Sequence, residues 1–248
     1  MKLTNSKILI TGGSSGIGLE LGKQLSAKGN KVIICGRSEE KLIAAKDFCK
    51  LSGYFRSDIS DPEQCQGLAY WVKQEHPDTN VIINNAAIVH RTSFWRNKDI
   101  VEMGESEMQT NFIAPVRLIH LLHPVISLNY NPAIINITTG LVYAPRAGYP
   151  FYCATKAALH SFTQVLRMQS QSNKIYIAEV LFPAVDTPWH EGNPPKIAIT
   201  PQKAVAEMIS GLEKGKQEIK IGKVKILRFL SAIAPGVALK IINNQSKT

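Results

Sequence analysis

The 248-residue sequence contains no uninterrupted apolar run of about 18 residues, so a membrane-spanning helix is not expected. The apolar part of its opening, MKLTNSKILITGG, is too short for a signal peptide and passes directly into a strand-turn pattern. Its four cysteines (Cys35, Cys49, Cys65, Cys153) form neither a CxxC pair nor a secreted-type framework, which points to reduced thiols in a cytoplasm. Six histidines include no HExxH or comparable ligand cluster, so no metal site is expected. Acidic residues are scarce toward the end: from Lys214 onward there are eight Lys/Arg and one Glu. Most of the net charge of +10 is therefore a local property of the tail, and a nucleic-acid-binding face over the whole protein is not implied.

What is present is a core-forming composition, 44% hydrophobic and 19% charged, in one chain of a length that α/β folds often use as a single domain. Short β-branched runs alternate with longer amphipathic stretches. Strands are expected at 7–11, 31–35, 53–57, 81–85, 133–138, 175–182 and 217–221. Helices are expected near 16–28, 38–50, 61–75, 105–127, 152–171 and 201–214. Strands separated by helices imply right-handed crossovers and a parallel sheet covered on both faces. The fold class is thus α/β, a single doubly wound Rossmann-type sheet over residues 1–222, with a basic amphipathic tail at 223–248.

The first strand runs into Thr11-Gly12-Gly13-Ser14-Ser15-Gly16-Ile17-Gly18, followed by helical spacing. Glycines permit the positive φ and close backbone approach of a tight turn. The helix that follows would offer free N–H groups and a positive dipole end to a pyrophosphate. Strand two ends in Gly36-Arg37. A carboxylate at that place would accept hydrogen bonds from both ribose hydroxyls, whereas a guanidinium suits a 2′-phosphate. With Ser14 as a further donor, NADP(H) is the expected cofactor.

In Tyr152-Cys153-Ala154-Thr155-Lys156 the tyrosine and lysine stand four apart, on one helix face. A phenol titrates ordinarily near 10, and a nearby ammonium favours its ionised form. Such a pair can exchange a proton with a carbonyl oxygen as hydride arrives or leaves.

The ordered set TGGSSGIG (11–18), Asp58-Ile59, NNAA (84–87), Asn111 and YCATK (152–156) resembles the short-chain dehydrogenase/reductase family, from about residue 4 to residue 222. LITGGSSGIGLEL, VIICGRS, YCATKAALHSF and VDT, with the tail, are similar to the oxidoreductases of bacterial D-alanyl-lipoteichoic-acid operons. The resemblance implies that Asp58 and Ile59 border the adenine, and that Asn85 and Ala86 lie under the ribose. Lys156 would hold the nicotinamide ribose, Val185 would line the nicotinamide pocket, and Thr187 would touch the nicotinamide carboxamide or the pyrophosphate. It also implies that Thr139, thirteen residues before Tyr152, stands where the family uses a serine to bind the substrate oxygen. Asn111 would support a water relay near Lys156. Ala87 and Ala184 replace family glycines.

The segment 186–200 matches the family's variable substrate lid, with Trp189 and His190 as pocket candidates; Tyr143 and Tyr149 are expected on the opposite wall. Such a rim suits a fairly apolar carbonyl or alcohol. The leading reading is an NADP(H)-dependent oxidoreductase; the alternative is an NADP-binding sensor with weak or no turnover. The tail could lie on an anionic membrane surface, or pack on its own subunit or a symmetry mate. The family commonly forms dimers and tetramers.

Overall fold

The computed structural model describes residues 3–170, 174–190 and 192–244. Residue 171, at the end of one expected helix, residue 191 in the expected lid, and tail residues 245–248 lie outside them. Seven parallel strands form one sheet in the order β3-β2-β1-β4-β5-β6-β7. They are β1 (Lys7–Thr11), β2 (Lys31–Gly36), β3 (Gly53–Arg56), β4 (Val81–Asn84), β5 (Ala133–Thr139), β6 (Tyr176–Phe182) and β7 (Glu218–Lys220). Each expected strand is present to within about a residue at either end.

The strands read as continuous apolar runs because both faces are covered. Ile8 and Ile10, Val32 and Ile34, and Val81 and Ile83 point into one core with Leu21, Leu25, Leu42 and Met208. The alternate residues Leu9, Ile33 and Ile82 point into the other with Leu68, Val72, Leu118 and Leu122. The first layer of helices is α1 (Gly16–Ala27), α2 (Glu39–Cys49) and α7 (Pro201–Glu213). The second is α3 (Pro62–Glu75), α5 (Ala114–Ile126) and α6 (Pro150–Gln169). Two-residue alternation into two dry layers is what a doubly wound sheet demands.

Three boundaries differ from expectation for physical reasons. Helix α4 (Ile100–Met108) begins earlier than residue 105 and runs through Gly104, where the Phe151 ring lies so close that a Cβ would stand 2.8 Å from it. A π-helical turn (Gln109–Ile113) then joins α4 to α5. Helix α6 begins at Pro150, whose missing N–H costs nothing in a first turn. The tail folds as two further helices, α8 (Val224–Ile233) and α9 (Pro235–Asn244), broken at Ala234-Pro235.

Between the layers, β4, β5 and α6 are locked by a buried polar chain. Asn84 Nδ2 donates to Asn136 Oδ1 (2.8 Å), Asn136 Nδ2 to Thr163 Oγ1 (2.8 Å), and Thr163 Oγ1 to Leu159 O (2.6 Å). Removing the middle link strands the buried Asn84 amide nitrogen and takes a donor from Thr163 Oγ1, which keeps its bond to Leu159 O. Asn136→Ala is expected to cost about 3 kcal/mol, read as a lower urea midpoint with an unchanged denaturant slope.

Candidate active site

The strand order reverses at β1, which has β2 on one side and β4 on the other. A crevice opens there, past the carboxyl ends of the strands, as open α/β sheets require. Its architecture starts with Thr11. The Thr11 hydroxyl accepts from the backbone N–H groups of Asn85 and Ala86 (3.0 Å each), and the Asn85 side chain donates back to Thr11 O at 2.9 Å. This clasp fixes the end of β4 against the turn.

The turn is then packed without side chains. Gly12 has φ +65° and lies against Ala86, and a Cβ on Gly18 would stand 2.1 Å from Gly12 O. Helix α1 therefore starts directly on the turn. Ser15, at its N-cap, makes no side-chain cap bond, and the first turn holds no acid. Helices α2, α3 and α7 are by contrast capped by Ser38, Asp61 and Thr200. An uncapped N-terminus opening on a cleft suits an anion, and the pyrophosphate of a dinucleotide fits it.

The cleft has a volume of about 700 Å³. One end is walled by Ser14, Ser15, Gly16, Ile17, Gly18, Arg37, Asp58 and Ile59. Arg37 is exposed there beside Gly36, and Asp58 Oδ1 is already engaged by Ser60, through N (3.0 Å) and Oγ (2.7 Å). Asn85 and Ala86 form the floor, with Gly12. The other end holds Thr139, Tyr149, Tyr152, Lys156, Val185, Thr187, Trp189 and His190. Residues from seven separate stretches of sequence thus meet along one channel.

Two expected residues stand elsewhere. Tyr143 is not on the cleft wall: its hydroxyl donates to Glu218 Oε1 (3.0 Å), its ring meets His160 edge-on, and the Arg228 guanidinium covers it. Nearby acceptors and a cation drew the phenol away from the channel. Asn111 lies behind the wall in the π-helical turn, fully buried. Its amide clamps Ile88, accepting from N and donating to O (both 2.8 Å), and also donates to Thr155 Oγ1 at 3.2 Å.

At the Tyr152 end of the cleft, burial governs the charges. It pushes the Tyr152 phenol well above 10, with Cys153, Glu107 and Tyr149 adding to the effect, so the group is held in its proton-bearing form. Lys156 does not supply the lowering its spacing suggests. Its ammonium is buried, donates to Ile137 O at 2.9 Å, and lies 5.9 Å from the centre of the Tyr152 ring. Burial draws Lys156 down to about 8, against the opposing charge of Glu179. Thr139 Oγ1 donates to Phe182 O and accepts from Leu141 N, both at 3.3 Å. These are long bonds, and turning the hydroxyl about its C–O bond frees its proton without moving χ1.

Several groups escaped sequence reading. Glu179 is completely buried on β6 and accepts from Thr138 Oγ1 and from His160 Nδ1 (2.8 Å). Glu107, buried on α4, accepts from His90 N at 2.7 Å. The inner faces of α8 and α9 complete the cleft through Val224, Leu227, Leu230 and Ile242. Gly140 makes this possible, because Val224 packs where its side chain would stand. The only available signal was the apolar periodicity of the tail; nothing in spacing pairs Glu179 with His160.

A turn built for a pyrophosphate at one end of a cleft and a tyrosine-lysine helix face at the other define a nicotinamide-dinucleotide oxidoreductase acting on CH–OH/C=O groups. A family model described as short chain dehydrogenase matches residues 6–197, and the chain belongs to that family. It is 41% identical over 233 residues to a Bacillus subtilis (strain 168) protein named Uncharacterized oxidoreductase DltE, covering 92% of each chain. It is 30% identical over 238 residues to a Fatty acyl-CoA reductase of Acinetobacter baylyi, covering 92% of this chain and 80% of that one. Its fold matches that of a short chain dehydrogenase from Burkholderia cenocepacia J2315 solved in complex with NADP. The TM-score is 0.84 at 23% identity, over 98% of this chain and 99% of that one.

The Glu179 partner holds the His160 imidazole above its ordinary 6.5; Glu218 adds to this, while burial and Lys220 oppose it. A raised histidine contributes stability that is fully present below 6.5 and is lost as pH rises through the raised value. Unfolding midpoints measured from acid to alkaline pH should show wild type ahead of His160→Gln at the acid end, with the gap closing above neutrality.

Proposed function

We propose that the protein is an NADP(H)-dependent oxidoreductase that moves hydride between the cofactor and a fairly apolar carbonyl or alcohol carbon. The observation that carries it is one continuous cleft joining the uncapped start of α1 and Arg37 to Tyr152, Lys156 and Thr139. Gly36 provides no carboxylate at the ribose, and the Arg37 guanidinium is free to reach the cleft for bidentate contact with a 2′-phosphate. Ser14 adds a hydroxyl beside it. Asp58 and Ile59 border the adenine, Asn85 and Ala86 support the ribose, Val185 lines the nicotinamide pocket, and Thr187, which packs beside Gly16, touches the carboxamide or the pyrophosphate.

The bound nicotinamide supplies or accepts the hydride. In reduction, Tyr152 gives its proton to the substrate oxygen while Thr139 Oγ donates a hydrogen bond to that same oxygen. Negative charge building there is what a second donor stabilises. Lys156 holds the ribose of the bound nicotinamide. Asn111 acts through position, holding Ile88 and Thr155 so that the loop after β4 and the start of α6 keep their spacing for a water relay. Trp189 and Tyr149, whose rings lie 5.7 Å apart with Trp189 also 5.9 Å from Tyr152, form the substrate wall. The four thiols are all free and buried, which suits a reducing cytoplasm. A homo-oligomer and a peripheral membrane contact through α8–α9 both remain part of this reading.

Three variants test it against the sensor alternative. Tyr152→Phe should lower kcat for NADPH-dependent aldehyde reduction by about a hundredfold to ten-thousandfold, with NADPH binding by fluorescence unchanged. Thr139→Val should lower kcat by about a hundredfold or more, while Thr139→Ser keeps it. Arg37→Ala should weaken NADPH binding and leave NADH binding nearly unaltered. Tight NADPH binding with no turnover across a broad panel of aldehydes and ketones would favour the sensor.

A further inference from the structure

We infer that α8 and α9 seat the protein on an anionic lipid surface with the mouth of the cleft facing the lipid, so that substrate enters from the membrane. The inference rests on the oxidoreductase reading only for the identity of what enters; the docking itself stands on separate observations.

The first is the two-sidedness of α8. Val224, Leu227 and Leu230 turn inward and line the cleft. Ile226, Phe229 and Ile233 share an outward arc of the helix, at spacings of three and four residues, and are 65%, 66% and 64% exposed, with Ile226 at the edge where that arc meets the cleft. Val237, on α9, is half-exposed. Isolated apolar residues on a surface need no explanation, whereas a helical stripe of this kind does.

The second is continuity between that stripe and the site. Trp189, Ile197, Ile226 and Ile241 are each at least 40% exposed, and each also lines the cleft. The rim of the mouth thus carries exposed apolar side chains from the lid loop to both tail helices, with the Lys223 cation among them, a mixed edge of the kind that meets a lipid interface.

The third is charge, which selects the occupant. No acidic residue follows Glu218, while Lys223, Lys225, Arg228 and Lys240 are all exposed on the two helices; Glu207 of α7 partners Lys225 at 3.4 Å and Arg228 lies over Tyr143, so one carboxylate stands against four cations there. A second copy docking face to face would bring these cations against their own equivalents. An anionic headgroup layer complements them, and an apolar face flanked by cations is the pattern of an interfacial helix. Among the described residues no helix is long and apolar enough to cross a membrane, so attachment would be to one face only. The hairpin is anchored to the body: Asn243 accepts from Ala147 N (2.7 Å) and donates to Pro145 O (3.1 Å), so its outer face is presented at a fixed angle.

The test uses the full-length protein in co-sedimentation with vesicles of phosphatidylcholine alone and of phosphatidylcholine mixed with phosphatidylglycerol. Pelleting is expected with the anionic vesicles and not with the neutral ones. Each cation near such a surface is worth about fivefold in partitioning, so Lys225→Gln with Lys240→Gln should weaken binding about twenty-five-fold. Phe229→Glu with Ile233→Glu should abolish it, with the far-UV spectrum and melting temperature unchanged because both side chains are exposed. The double glutamate variant should also slow NADPH oxidation by a long-chain aldehyde carried in anionic vesicles, and leave the rate with a short water-soluble aldehyde unaltered. Absence of pelleting, or equal pelleting with both vesicle types, overturns the inference. So does a dimer in sedimentation velocity that the double glutamate variant dissociates, since a second copy would then cover the face. If no aldehyde is reduced while anionic vesicles still bind, the oxidoreductase reading fails and the docking stands.

Discussion

The cleft depends on how closely a helix can approach the end of a strand. Gly18 sits where any side chain would strike the Gly12 carbonyl, and Gly12 itself lies against Ala86. That approach points the first N–H groups of α1 at the crevice instead of at a side-chain cap. Thr11 then ties the turn to the end of β4, so the floor of the cleft and the start of α1 are joined directly. The rest of the site is arranged around this corner by a sheet whose strands all end on the same edge.

Burial at the far end of the cleft has two consequences that oppose each other. It keeps Tyr152 protonated, which suits donation to a carbonyl, and it weakens the hold of Lys156 on its own proton. Glu179 sits within the same dry layer, where a carboxylate must find partners, and it has Thr138 and His160. Thr138 precedes Thr139 on β5. The strand therefore sends one threonine toward the buried carboxylate and the next toward the cleft, as the two-residue alternation of a strand dictates. A threonine at 139 is compatible with a donor role because its present bonds are long and share the hydroxyl, not the χ1 torsion.

Tyr143 shows how far local sequence can carry such an argument. Its place in the turn before Tyr152 puts it near the cleft, yet the direction of its ring is set by Glu218 on β7 and Arg228 on α8, both more than seventy residues away. Asn111 is similar: its identity was legible, but its contacts with Ile88 and Thr155 follow from a π-helical turn that no spacing in the chain announces. The tail belongs to the same class. Its amphipathic pattern was visible, whereas the fact that its inner face completes the cleft depends on Gly140 leaving room for Val224.

By itself the sequence determined the parallel sheet, the glycine turn and the shared face of Tyr152 and Lys156, because each follows from short-range rules: two-residue and 3.6-residue periods, and the steric freedom of glycine. Tertiary structure alone decided which way Tyr143 turns, that Glu179 meets His160, and that the tail helps to wall the cleft. Those outcomes depend on side chains far apart in the chain competing for the same partners and the same space. That competition is settled only when the layers close.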